Sequence, residues 1–271
     1  MSVLVTGGAG FVGLNLIEQL LERGEDVVAF GPAPLPDAAT AAMAHLPGRL
    51  STVLGDVRRG ADLDAALREH AVDRVVHGAA VTAGLEREKN AAADIFTVNL
   101  LGAVKVMEAG LRHGVRQVVQ LGTVFGRWEY DTGVRDTLSL PLQLSGIAEA
   151  GGQAVVHSLA ADDWVYSVDV ARGILAVLDR GQTPDPVYHL SAGARWSVRD
   201  WCERLRERFP RFAYRMADNL DECTIGRDKA VQRAPMDIAR LRRDTGYEPL
   251  YMLERAFDDY LAWRAAVGRI A

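Results

Sequence analysis

Glycines at 7, 8, 10 and 13, within VLVTGGAGFVG (residues 3–13), have the spacing in this chain that points most directly to chemistry. They follow the apolar residues Val3, Leu4 and Val5. They precede a stretch from Phe11 to Arg23 in which Leu14, Leu16, Ile17, Leu20 and Leu21 recur at helical spacing. A strand ending at Thr6 must therefore reverse tightly into a helix. Gly7 and Gly8 permit that turn, because positive φ costs glycine little. Gly10 lets the backbone approach a pyrophosphate with no Cβ in the way, and Gly13 lets the helix lie close on the sheet. The first helical amides, from Phe11, Val12 and Gly13, lack intrahelical acceptors and sit at the positive end of the helix dipole, where phosphates bind. A bare G-x-G-x-x-G match is weak; the strand before it and the helix after it supply the context it needs. A glycine turn used only for packing is the competing reading.

The elements that must position this turn alternate along the chain. Strand-like runs at Val3–Thr6, Val27–Phe30, Leu50–Leu54, Arg74–His77 and Gln117–Leu121 are separated by helix-like stretches at 11–23, 61–70 and 91–113. The strands are apolar on both faces, which implies a parallel sheet covered by helices: an α/β, doubly wound Rossmann fold. The stretch GPAPLPDAATAAMA (31–44) reads as a loop. After residue 126 the pattern changes to short strands (Ala154–Val156, Tyr188–Leu190) between helices at about 168–180, 197–209, 237–244 and 252–265, with LSLPLQLSGIAEA as a further helix. The expected division is a dinucleotide-binding domain over 1–123 and a smaller, mainly substrate-binding lobe over 124–271.

The 271 residues carry a net charge of −5, which gives no electrostatic case for nucleic acid or an anionic membrane. Cys202 and Cys223 lack metal-ligand spacing, and the six histidines show none either, so no metal is assigned. No apolar run reaches membrane-spanning length and no charged leader is recognisable, so the expected location is the cytoplasm.

The opening turn, together with GDV at 55–57, VVHGAA at 75–80, NLLGAVKVMEAGLRHGV at 99–115 and QVVQLGT at 117–123, resembles the extended short-chain dehydrogenase/reductases, the family of NAD-dependent sugar epimerases and dehydratases. DDWVYSVDVARGI (162–174) and QRAPMDIARLRRDTGYEPL (232–250) are similar to that family's C-terminal region. The resemblance implies that the Asp56 carboxylate accepts a hydrogen bond from the adenine amino group, with Val57 beside it. It implies that Ala79, Ala80 and Val81 let the backbone run along the cofactor, that Leu121 lies near it, and that Asn99 steadies the sheet and the site. A solvated turn aspartate, an ordinary strand end and a surface asparagine are the alternatives.

Two departures from the family follow. The acidic residue expected about 20 positions beyond the glycines, which pairs with the adenosine ribose 2′-OH, is absent. The second strand ends in Gly31-Pro32, and the next arginine is Arg49. Neither NAD nor NADP is selected by charge, with NAD slightly preferred; Asp37 in the loop is within reach of the ribose but is not assigned to it. The second departure concerns proton transfer. The family uses tyrosine and lysine, spaced Y-x-x-x-K on one helix, with a Ser or Thr orienting the substrate hydroxyl. None of the seven tyrosines here has lysine four residues later, and the lysines are only Lys89, Lys105 and Lys229. Thr123 stands at the hydroxyl position.

Val124-Phe125-Gly126 resembles the family's V-Y-G, which follows strand 6 rather than strand 5. Without strand 6 the fifth strand would be an apolar edge, which proteins avoid. Roughly 40–55 residues carrying the catalytic helix and strand 6 are therefore missing near Thr123 and Val124, by family comparison and the length of a βα unit. Either they are deleted from the protein, or they form a mobile segment that the 271 residues omit, which is the favoured reading. Arg127 and Trp128, and Arg233 in QRAP, are the substrate-side candidates; a solvated arginine is the alternative for Arg233. Asp169 is either near the substrate mouth or a helix N-cap. Tyr130 and Tyr166 are the phenols available as a relocated base. Trp196, Trp201 and Trp263 read as packing residues.

The expected function is an NAD(P)-dependent oxidoreductase or epimerase acting on a sugar hydroxyl, nucleotide-linked or of a sugar acid. The rival is a non-catalytic dinucleotide-binding sensor or scaffold. The resemblance also implies a homodimer built on a four-helix bundle from the helix at 91–113 and the catalytic helix.

Overall fold

A computed structural model of the chain describes residues 2–81, 92–120, 139–185, 188–225 and 234–266. The apolar runs pair as a parallel sheet. Strands β1 (Ser2–Thr6), β2 (Asp26–Gly31), β3 (Leu50–Leu54), β4 (Val72–His77) and β5 (Gln117–Gln120) lie in the order β3-β2-β1-β4-β5. The chain thus starts at the centre, builds outwards through β2 and β3, then crosses back to β4. The reversal of strand order falls between β1 and β4, and in such sheets ligands bind at the carboxyl ends of the strands there. Among the described residues β5 pairs with β4 alone and is the edge of this sheet.

Helix α1 (Phe11–Glu22) forms because Leu14, Leu16, Ile17, Leu20 and Leu21 share one face, and all five are buried. Each contributes about 2 kcal/mol by leaving water. Helix α2 (Asp37–Met43) lies inside the segment read from sequence as a loop, and its Ala39 and Met43 are buried against α1's core. Its prolines precede the helix, where a missing N–H costs nothing, and its alanines favour it. On the opposite face α3 (Gly60–Glu69) packs with the long helix that follows β4.

That long helix is not uniform. It is α4 (Ala92–Phe96), a π-helical stretch (Thr97–Gly102) and α5 (Ala103–Arg112) in direct succession. The sequence predicts one unbroken α-helix over 91–113; the widened turn is the difference.

The C-terminal half contributes α6 (Leu140–Glu149), β6 (Gln153–Val156), β7 (Ala161–Asp162), α7 (Ser167–Arg180), β8 (Trp196–Ser197), α8 (Val198–Arg208), β9 (Ala213–Met216), α9 (Ala239–Thr245) and α10 (Leu253–Ala266). β6 pairs with β9 in parallel, and β7 with β8 antiparallel. Residues 188–190, read from sequence as a strand, form none; the short strand lies at Trp196–Ser197 instead. Helix α7 packs on α1, and the Gln19 amide donates to the Val168 carbonyl at 3.2 Å. One apolar cluster therefore runs from Val3 and α1 through α7 to Trp201 and Trp263. Trp196 and Trp201 stack at 5.5 Å, and Phe257 meets Trp201 edge-on at 5.0 Å, which makes the tryptophans core residues as expected. Both cysteines are buried and free, and burial pushes the Cys202 thiol up to about 12.

Candidate functional site

At the carboxyl end of β1 the backbone turns at Gly7, whose φ is +69°. A side chain there would be strained, and its Cβ would lie 2.7 Å from the Ala79 nitrogen. Gly8, expected to share the positive φ, does not have it; its small size is needed because Ala29 Cβ would be 3.0 Å away. The Gly10 amide donates to the Gly7 carbonyl at 2.9 Å, closing the turn, and the Leu14 amide donates to Gly10 at 2.9 Å, opening the helix. A Cβ on Gly13 would sit 2.5 Å from the Gly7 oxygen and 2.8 Å from Gly8 Cα. At Gly10 a Cβ would meet only the Gly7 oxygen, at 3.1 Å, so the protein leaves the outer side of Gly10 open. The N-terminus of α1 has no side-chain cap and no acidic residue in its first turn. The amide-rich turn and open helix end fit a diphosphate.

Two segments flank this cradle. On one side Val57 is buried, and Asp56 stands at the end of β3. Its carboxylate is gripped by Arg58: Nε lies 2.9 Å from Oδ2 and Nη2 2.6 Å from Oδ2, while the Arg58 amide donates to Oδ1 at 2.9 Å. The Arg58 side-chain hydrogen bond holds the Asp56 carboxyl below its ordinary pKa. Sequence reasoning missed Arg58; the two-residue separation from Asp56 was its one visible signal. On the other side Ala79, Ala80 and Val81 leave β4. Asn99, in the π turn, grips Val81 twice: its Oδ1 accepts from the Val81 amide at 2.7 Å and its Nδ2 donates to the Val81 carbonyl at 3.1 Å.

A second link was not foreseen. The Thr6 hydroxyl accepts from the Ala79 amide at 3.2 Å and lies 2.6 Å from Nδ1 of buried His77. The Thr6 oxygen, with two lone pairs and one proton, can take either role towards Nδ1 while it accepts from the amide. Burial lowers the His77 pKa from 6.5 to about 4. The folded value lies below the unfolded one, so the unfolded chain takes up this proton first. The contribution of the neutral ring to stability is complete above pH 6.5 and declines towards pH 4, by about 3 kcal/mol in all. Replacing His77 with asparagine should flatten that part of the curve of Tm against pH. Parallel curves for the two proteins would contradict the assignment.

Arg49, Asp169 and Tyr166 are not at this cleft. Arg49 is at the opposite end of the sheet, bound to Asp26 at 2.7 Å, so it cannot select a ribose phosphate. Asp37 is the first residue of α2. Asp169 is neither an N-cap nor at a substrate mouth: it is buried at the third position of α7 and accepts from the Leu250 and Tyr251 amides at 2.8 and 2.6 Å. The Tyr166 hydroxyl is buried and donates to Asp259 at 2.8 Å, which excludes it as a relocated base. Leu121, Thr123, Arg127, Trp128, Tyr130 and Arg233 lie outside the described residues. Among the described residues no group of three His, Cys, Asp or Glu converges as a metal site, and no helix is long and apolar enough to cross a membrane.

Comparisons with known proteins bear on this cleft. The profile of the NAD dependent epimerase/dehydratase family matches residues 3–150. A 3-beta-hydroxysteroid dehydrogenase of Mycolicibacterium neoaurum is 38% identical over 122 residues, covering 43% of this chain and 30% of that protein. The chain matches about a third of the length of these curated relatives, 30% to 34%. A dTDP-glucose 4,6-dehydratase of Streptomyces griseus is 26% identical over 325 aligned positions, covering 96% of this chain and 93% of that protein. Among solved structures, a UDP-glucose 4-epimerase from Stenotrophomonas maltophila, with bound NAD and formylated UDP-arabinopyranose, superposes with a TM-score of 0.78 at 20% identity over 100% of both chains. The fold is the one these epimerases share, and the glycine turn, the sheet order and the Asn99 clasp all fall within the matched span. The chain belongs to the NAD dependent epimerase/dehydratase family.

Proposed function

We propose that this protein binds a nicotinamide dinucleotide across the carboxyl ends of β1, β3 and β4 and acts on a hydroxyl of a sugar, nucleotide-linked or a sugar acid. The observation that carries the reading is the cradle of Gly7, Gly10 and Gly13 at the point where the strand order reverses. In it the Gly7–Gly13 turn and the first amides of α1 hold the diphosphate, with Phe11, Val12 and Gly13 as donors. Asp56 and Val57 take the adenine end, and the Arg58 guanidinium must swing aside for the Asp56 carboxylate to meet the adenine amino group. Ala79, Ala80, Val81 and Leu121 border the nicotinamide end. The cofactor, when bound, supplies hydride transfer at a substrate carbon. NAD is preferred over NADP, since the Stenotrophomonas relative holds NAD and Arg49 is too far away to greet a 2′-phosphate. Thr123 orients the substrate hydroxyl, and Arg127, Trp128 and Arg233 hold the substrate.

A second reading is favoured by one specific observation: no tyrosine in the chain has lysine four residues later. On that reading the protein is a dinucleotide-binding sensor or scaffold. The Streptomyces alignment, at 325 positions, is longer than the 271-residue chain, which supports an internal segment being absent here. Absorbance at 340 nm together with analysis of the sugar product separates the two. The enzyme reading expects NAD-loaded protein mixed with a panel of UDP- and dTDP-hexoses to gain or lose nicotinamide absorbance, or to return an epimerised sugar. Tight NAD binding with unchanged sugars and absorbance would favour the sensor.

We place a self-association surface on the outer face of α4–α5. Phe96, Leu100 and Leu111 are 65%, 62% and 83% exposed, and Val104 and Met107 lie on the same stripe. Spacings of three and four from Leu100 onwards form a seam suited to a second helix. Val104→Glu should convert a dimer, read by light scattering, into a monomer; a wild-type monomer at high concentration would contradict the dimer.

A further inference from the structure

We infer that the π turn Thr97–Gly102 is a positioning device that fixes both flanks of the dinucleotide cleft at once, with Gly102 as its second contact; this rests on the dinucleotide reading above. The flanks lie three strand positions apart, since β2 and β1 separate β3 from β4. At about 4.8 Å per strand that is roughly 14 Å. The π turn bridges them. Asn99 clasps the backbone of Val81 beyond β4 through two hydrogen bonds. Three residues on, Gly102 presses against Val57 beyond β3: a Cβ there would lie 2.8 Å from Val57 Cγ2. Val57 cannot give way easily. It is buried among Leu63, Ala66 and Val106, and its branched side chain has little rotamer freedom.

The widened turn is what lets both contacts form. An α-helix would hold residues three apart on nearly one line along its face. A π turn, with i→i+5 bonding, spreads them around the helix, so Asn99 addresses one flank and Gly102 the other. Such turns are rare and occur frequently at functional sites. Neither Asn99 nor Gly102 needs to touch the nucleotide; each sets the position of a neighbour that does.

The test uses five proteins: wild type, Gly102→Ala, Val57→Ala, Gly102→Ala with Val57→Ala, and Asn99→Ala. Affinities for AMP and NAD are measured by calorimetry, and hydrogen exchange at the Val81 amide is followed without nucleotide. Gly102→Ala should weaken AMP and NAD about tenfold, equivalent to 1.4 kcal/mol. Adding Val57→Ala removes the colliding methyl group, so the double variant should bind AMP within about threefold of the Val57→Ala protein rather than tenfold below it. Asn99→Ala should accelerate Val81 exchange about tenfold and weaken NAD while leaving AMP within about twofold. A general packing defect would not be rescued by shrinking Val57, nor would it separate AMP from NAD. If Gly102→Ala binds AMP as wild type does, or still costs tenfold when added to Val57→Ala, the positioning role is overturned. If wild type binds neither nucleotide while Val81 exchange still responds to Asn99→Ala, the dinucleotide reading falls and the clasp itself stands.

Discussion

Gly10→Ala is expected to lower affinity for NAD at least about 100-fold, or 2.7 kcal/mol, while leaving the unfolding free energy within about 1 kcal/mol of wild type. The protein itself presents only the Gly7 oxygen, at 3.1 Å, to a Cβ at that position. What a methyl group would obstruct is the approach of the diphosphate to the helix amides. Gly13→Ala differs in kind. Its Cβ would fall 2.5 Å from the Gly7 oxygen and 2.8 Å from Gly8 Cα, both backbone atoms that no rotamer change can move. That variant should lose about 3 kcal/mol of stability along with binding. The pair separates a packing turn from a ligand cradle. Calorimetric titration together with thermal melts of both variants provides the check. A Gly10→Ala protein that binds NAD as tightly as wild type would mean that the turn serves packing alone.

Asp169→Ala is expected to destabilise the fold by about 3 kcal/mol without touching the nucleotide. The carboxylate is buried, accepts from the Leu250 and Tyr251 amides, and faces the Arg172 guanidinium at 2.5 Å. It therefore ties the segment before α10 to the start of α7, across more than 80 positions of sequence. Removing it leaves two amides without their acceptor, at about 1–3 kcal/mol for each, while the Arg172 guanidinium keeps the Glu248 carbonyl at 3.1 Å. For a chain of this size the loss lowers Tm by roughly 6–10 °C. Differential scanning calorimetry reads it directly, with NAD affinity at low temperature as the control. A Tm within a degree of wild type would show that the contacts to Leu250 and Tyr251 do not hold that segment.

These two sites also show what can be read from residues in order. The glycine turn is local: strand, reversal and helix occupy thirteen consecutive positions, so periodicity and glycine chemistry suffice. The five-stranded parallel sheet follows from the same kind of signal, because β1 to β5 are short apolar runs separated by amphipathic ones. Helix α2 was hidden because prolines and alanines resemble a loop, and only the burial of Ala39 and Met43 against α1 decides otherwise. The π turn was hidden because Phe96, Leu100 and Val104 keep a plausible helical spacing whichever way the turn is wound. Asp169 illustrates the harder limit. Its position after an aromatic strand fits a cap or a substrate contact equally well, and its true partners are remote backbone amides without side-chain identity. Arg58 lay in plain view, yet nothing in sequence says that a guanidinium two residues on will fold back over its neighbour's carboxylate. Leu121, Thr123, Arg127, Trp128 and Arg233 rest on the family resemblance.

The most direct test of the central claim is isothermal titration of NAD into the full-length folded protein at pH 7.5. A cleft built from the Gly7–Gly13 turn, the α1 amides and the Asp56 flank predicts one site per chain with micromolar affinity, on the order of −8 kcal/mol. Absence of heat and of any Tm shift with millimolar NAD or NADP, in protein whose melt is cooperative, would contradict it.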